Sequence, residues 1–175
     1  MTQWKPDYFK LVVAGAASLY FFSSALHPTS DRYIDAVNLV IHEAGHIVFV
    51  LFGEMMAVAG GTILQLLMPA LFVGYFALRQ REYFSASLVV FWLGENFITI
   101  SVYAADALAM QLPLVGGEGV IHDWNYLLTR AGMLEHTWVV AGIIKYLGML
   151  TILFASIGSF WFALRKRGGT FTTDI

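Results

Sequence analysis

The chain has 175 residues, 58% of them hydrophobic and 13% charged, with a net charge of −2 and no cysteine. Soluble domains carry about 25% charged residues, so this composition, with a mean hydropathy of +0.69, points to the bilayer as solvent. Nothing in the charge balance suggests nucleic acid as a partner. The lack of cysteine excludes disulfides, thiolate metal sites and cysteine nucleophiles.

A membrane-spanning helix needs about 20 mostly apolar residues. The first such stretch runs from Tyr8 to Leu26 behind the weakly basic "MTQWKPDYFK". No clean small-x-small cleavage site follows and further apolar spans come after it, so it is expected to be a retained span rather than a signal peptide. The turn His27-Pro28-Thr29-Ser30-Asp31 offers Ser30 or Asp31 as the cap of a second span, from Ile34 to Met56. Gly60-Gly61 is expected to break that span from a third, Thr62 to Leu78, kinked at Pro69 and ended by "RQRE". A fourth runs from Phe84 to Ala105. The glycine-rich stretch "DALAMQLPLVGGEGVIHD" leads to "WNYLLTRAGML", a short amphipathic helix capped by Asp123. The last span, Thr137 to Leu164, stops at "RKR".

The fold class expected is therefore all-α: one polytopic membrane domain over residues 1–175, with four or five transmembrane helices plus the amphipathic one. Short basic loops stay cytoplasmic, which places "RQR" and "RKR" inside. Five spans put the N-terminus outside, against the weak vote of Lys5 and Lys10. A re-entrant hairpin over 54–78 would leave four spans and every basic cluster inside. Five are favoured, because 62–78 is nearly long enough to cross.

The second span carries "NLVIHEAGHIVFVLF". Charged groups inside such a run are expensive. In a helix, residues four apart share a face, so His42 and His46 can share a metal ion, and catalytic zinc keeps three protein ligands and an open position for water. Glu43, next to the first ligand, can take a proton from that water. With five His and six Glu in the chain, chance produces H-E-x-x-H about 0.005 times per shuffled sequence, a strong signal for so short a motif. The bland alternative is two histidines bonded to backbone carbonyls and a neutralised glutamate.

No third histidine follows closely enough for the extended zinc motifs. Asp123 is the first choice as third ligand, since it opens the short helix after a loop able to fold back over the second span. A plain helix cap explains it equally well. His122 is the next choice, or an outer partner of the ligands. Glu54 and Glu95 follow, while His27 and His136 lie near membrane edges. Glu95-Asn96 sits in mid-span: Lys145 can serve as the counter-ion of Glu95, or Glu95 and Asn96 can line the site, with Asn96 binding a substrate backbone. Gln65 can do the same or join helices.

"HEAGH" inside an apolar span, with Gly45 in the H-E-x-G-H form and an acidic residue in a later segment, resembles the site-2 protease family of intramembrane zinc metalloproteases. The resemblance implies His42 and His46 as Zn2+ ligands, Glu43 as catalytic base and an Asp as third ligand. That Asp usually sits in an Asp-Gly context in the family; the counterpart here is "HDWNYLL", with Asp123. The expected function is zinc-dependent cleavage of peptide bonds in membrane-protein substrates, within or at the edge of the lipid bilayer. The alternative class is a non-enzymatic membrane metal-binding protein: a transporter, a sensor, or a pseudoprotease that binds helices. Retention of Glu43 favours the enzyme, because a binding site needs no base.

Overall fold

The computed structural model describes residues 6–30, 32–115 and 120–165. Among these residues the fold is entirely helical. Helix α1 is Tyr8–Leu26, α2 Tyr33–Phe49, α3 Glu54–Gly74, α4 Tyr83–Ala105, α5 Asp123–Arg130 and α6 Thr137–Leu164. A 3-10 turn over Val50–Phe52 extends α2, and a π turn over Tyr75–Arg79 extends α3. Five helical stretches are long and apolar enough to cross a membrane, and the third measures 26 residues from Glu54 to Arg79. Large apolar side chains stand exposed along these helices, among them Leu19 at 77%, Ile47 at 76% and Phe154 at 67%. Water would penalise such surfaces, whereas lipid would not.

Two helix pairs build the molecule. α4 and α6 pack around Phe91, Ile98, Ile152 and Ala155. Gly94 and Gly148 let them approach: a Cβ on Gly94 would stand 2.7 Å from Ile152 Cγ1. α1 lies against this pair, with Ala25 in the same cluster and Ser18 Oγ 2.8 Å from Ser156 Oγ.

The second pair, α2 with α3, corrects the expectation of a break at Gly60-Gly61. The chain turns at Gly53 instead, whose φ of +95° suits a residue without a Cβ. Gly60 and Gly61 lie inside α3 and face α2. A Cβ on Gly45 would collide with the Gly60 carbonyl, and one on Gly61 would reach 2.5 Å from His42 Nε2. The glycines thus bring two backbones together at the motif, as small residues do between membrane helices. α3 runs on through the buried Pro69.

Helix starts also differ from expectation. Arg32, not Ser30, occupies the cap position of α2, and its backbone N–H donates to Asp35 Oδ2 at 2.9 Å. Asp31 lies outside the described residues, as do Lys5, the 116–119 part of the glycine-rich stretch, and Lys166 and Arg167 of the last basic cluster.

Candidate metal centre

His42 and His46 sit one turn apart on the face of α2 that meets α3, and α5 delivers Asp123 above them. Asp123 Oδ2 lies 2.9 Å from His42 Nε2 and 3.4 Å from His46 Nε2. One donor atom from each residue falls within 4.8 Å of the others, a spacing at which the three can hold a metal ion.

Each imidazole is also gripped from behind. His42 Nδ1 is 3.0 Å from Gln65 Oε1, and His46 Nδ1 is 2.8 Å from the Ala57 carbonyl oxygen. Both oxygens are acceptors, so the ring proton belongs on Nδ1 and the lone pair on Nε2, facing Asp123. Metal-ligating histidines are oriented in this way. The proton count supports a cation. Each ring meets an oxygen acceptor at both nitrogens, yet a neutral imidazole carries only one N–H. Protonating both rings would place two positive charges on rings whose centroids are 4.9 Å apart. A metal ion between the Nε2 atoms and the carboxylate removes the mismatch, so the residues fit a metal.

The cap position of α5 belongs to His122, not Asp123. His122 Nδ1 accepts from the Asn125 backbone N–H at 3.3 Å. Asp123 is therefore the first residue of the helix, with its carboxylate free for the site. With no ion between them, Nε2–H groups of His42 and His46 would donate to its carboxylate, and these hydrogen bonds outweigh the burial that pushes the carboxyl up and hold it below the usual carboxylate range. His122 points away from the cluster, with Nε2 3.3 Å from Asp106 Oδ2.

Asp106 itself was not singled out from the sequence. Its carboxylate accepts the backbone N–H groups of Gln111 and Leu112, both at 2.9 Å. Desolvation raises its pKa, but these donors together with His122 leave it lowered. Asp106 thereby fixes the start of the loop whose later residues, Leu112 to Val115, wall the site.

Glu43 lines both cavities that open at the cluster, of about 300 Å³ and 260 Å³. It has no hydrogen bond or ion pair among the described residues. Gln65 lines the cavity of about 300 Å³ and is the outer partner of His42, its carbonyl holding Nδ1 and its amide donating to Thr99 Oγ1 at 3.3 Å. Asn96 is fully buried, lines neither cavity, and donates to the Trp92 carbonyl at 3.0 Å. Glu54 is exposed and lies 4.0 Å from Arg130.

Glu95 is fully buried, but Lys145 is not its partner. Lys145 makes no ion pair among the described residues, while Arg32 approaches Glu95 Oε1 at 3.7 Å and Asn38 Nδ2 donates to Oε2 at 2.7 Å. Trp92 Nε1 donates in turn to Asn38 Oδ1 at 2.8 Å. This network ties the start of α2 to α4, one turn before His42. A helical plot of α2 could have revealed it, since Asp35, Asn38, His42 and His46 form one polar stripe. Comparison with protein families, with curated proteins and with solved structures finds no match to this chain.

Proposed function

We propose that the chain is an integral, multi-pass membrane endopeptidase that uses zinc and cleaves membrane-protein substrates within or near the bilayer, as its resemblance to the site-2 protease family implies. The observation that carries the reading is the convergence of His42 Nε2, His46 Nε2 and the Asp123 carboxylate beside Glu43, which has no hydrogen bond or ion pair among the described residues. Two nitrogens and one carboxylate oxygen are a donor set suited to catalytic zinc. A zinc ion so held acidifies water and polarises a carbonyl.

The chain's own residues do the rest. His42 and His46 present Nε2 because Gln65 and Ala57 hold Nδ1. Glu43 takes the proton of the attacking water and passes it to the leaving nitrogen, which requires a carboxylate free of other partners. The cavities on either side of Glu43 have apolar walls, with Leu39, Ile100 and Leu114 among the lining residues, and so suit the side chains of a membrane segment. A substrate helix must unwind there, since its carbonyls are otherwise hydrogen-bonded.

The test compares purified wild type with Glu43→Gln and His46→Ala. Wild type should carry about one zinc per chain, as a three-ligand site holds, and cleave a membrane-protein substrate in liposomes. Glu43→Gln should keep the zinc and lose turnover. A wild-type protein without zinc, or a Glu43→Gln variant that cleaves normally, would overturn the proposal.

A further inference from the structure

His42, Glu43 and Tyr103 line both cavities. Tyr103 stands near the end of α4, its ring edge-on to His42 with centroids 5.8 Å apart, and against His122 at 4.5 Å. Its hydroxyl oxygen accepts the backbone N–H of Asp123 at 3.2 Å. A phenol both donates and accepts. With the acceptor side engaged, the O–H proton remains, and no acceptor among the described residues takes it. The other neutral polar side chains along the cavities, Asn38, Gln65 and Thr99, are held by neighbours, each amide keeping one further N–H. Asn38 serves Glu95 and Trp92, Gln65 serves His42 and Thr99, and the Thr99 hydroxyl points back to the Asn96 carbonyl at 3.1 Å. Of the two hydroxyl-bearing side chains that line this space, only Tyr103 has no acceptor for its proton among the described residues.

We propose that Tyr103 is a catalytic hydrogen-bond donor to the oxyanion formed during peptide hydrolysis; the inference rests on the peptidase reading above. Water oxygen bonds to the scissile carbonyl carbon while Glu43 takes the water proton and the carbonyl π pair moves onto its oxygen. Tyr103 donates its O–H to that oxyanion without transferring the proton. The pair then re-forms the carbonyl, the C–N bond breaks, and the proton on Glu43 goes to the departing nitrogen. A donor fixed before the charge develops favours the transition state over the substrate.

The test uses the full chain in detergent, with labelled unfolded casein as substrate and a phosphinic pseudopeptide as a non-cleavable mimic of the oxyanion. Tyr103→Phe removes one oxygen and keeps the ring. It should leave zinc affinity and KM within about twofold of wild type, while kcat falls about a hundredfold. Affinity for the phosphinic probe should fall at least tenfold, on the order of one lost charged hydrogen bond. Tyr103→His, which keeps a ring donor, should recover part of both losses. Unchanged kcat and probe affinity in Tyr103→Phe would overturn the role. So would a fall in zinc affinity matching the fall in kcat, because Tyr103 would then act only by positioning Asp123. If wild type cleaves neither casein nor the membrane-protein substrate in liposomes better than Glu43→Gln, the peptidase reading falls and takes this inference with it; cleavage by wild type and Tyr103→Phe alike removes the tyrosine alone.

Discussion

Asp123 carries the clearest residue-scale test. Were it a helix cap, serine would replace it, since serine caps about as well as aspartate. The cap is His122, so serine gains nothing at position 123 and loses the carboxylate that reaches both imidazoles. Asp123→Ser and Asp123→Ala should therefore lose zinc equally, by metal analysis after dialysis; normal zinc in the serine variant would remove Asp123 from the site. Gln65→Leu frees His42 Nδ1 and should weaken zinc binding about 10–100-fold, the usual cost of losing an outer partner of a ligand, measured by competition with a chelator. The histidine pair and Glu43 were legible in the sequence because their geometry is local: one helical turn sets it. Asp123 was nameable only as one of several acidic or histidine candidates. Gln65 as the partner of His42, and Tyr103 beneath Asp123, depend on how α3 and α4 cross α2, which no spacing along the chain encodes.

At the scale of elements, the same glycines that suggested a break turned out to be a contact. Glycine lowers helix propensity in water, but between apolar helices it permits close approach, and the second effect wins at Gly60 and Gly61. Gly61→Ala should displace the His42 ring, since the added carbon would stand 2.5 Å from Nε2; reduced zinc affinity with retained helix content would show it. The buried Glu95 gives a second prediction. Its partner Arg32 keeps Asp35 at 3.5 Å, so Glu95→Ala removes one of two counter-charges and strands the buried Asn38 amide, which should cost about 1–3 kcal/mol. Lys145→Met should cost almost nothing. Equal losses in detergent unfolding would restore Lys145 as the counter-ion. The helices themselves were readable because hydropathy reports each span independently. The ion pair was not, because Arg32 precedes a span and Glu95 lies within another.

For the whole molecule, the proposed metal centre would also be a tether. α5 has eight residues, too few to persist as an isolated helix in water, where about 12–15 are marginal. Its polar attachments are few: the Asp123 N–H donates to the Tyr103 hydroxyl at 3.2 Å, Asn125 Nδ2 donates to the Ala107 carbonyl at 2.8 Å, His122 meets Asp106 at 3.3 Å, and Arg130 reaches Glu54 at 4.0 Å with both side chains exposed. An exposed pair of that kind contributes about 0–1 kcal/mol. Asp123 is the attachment to α2, and a bound ion would convert its contacts with the histidines into coordinate bonds. A ligand that binds only the assembled state stabilises it by about 4 kcal/mol at a thousand times its dissociation constant. Chelation should therefore loosen α5 selectively. Hydrogen exchange at the α5 amides should quicken by at least tenfold on removing zinc, while amides around Phe91 and Ile152 in the α4–α6 core, which supplies none of the three ligands, keep their rates. The same acceleration should appear in Asp123→Ala even with zinc in excess and be absent in zinc-loaded Glu43→Gln, which keeps all three ligands. Exchange in α5 that ignores the metal would mean that Asp123 does not link α5 to α2 through an ion.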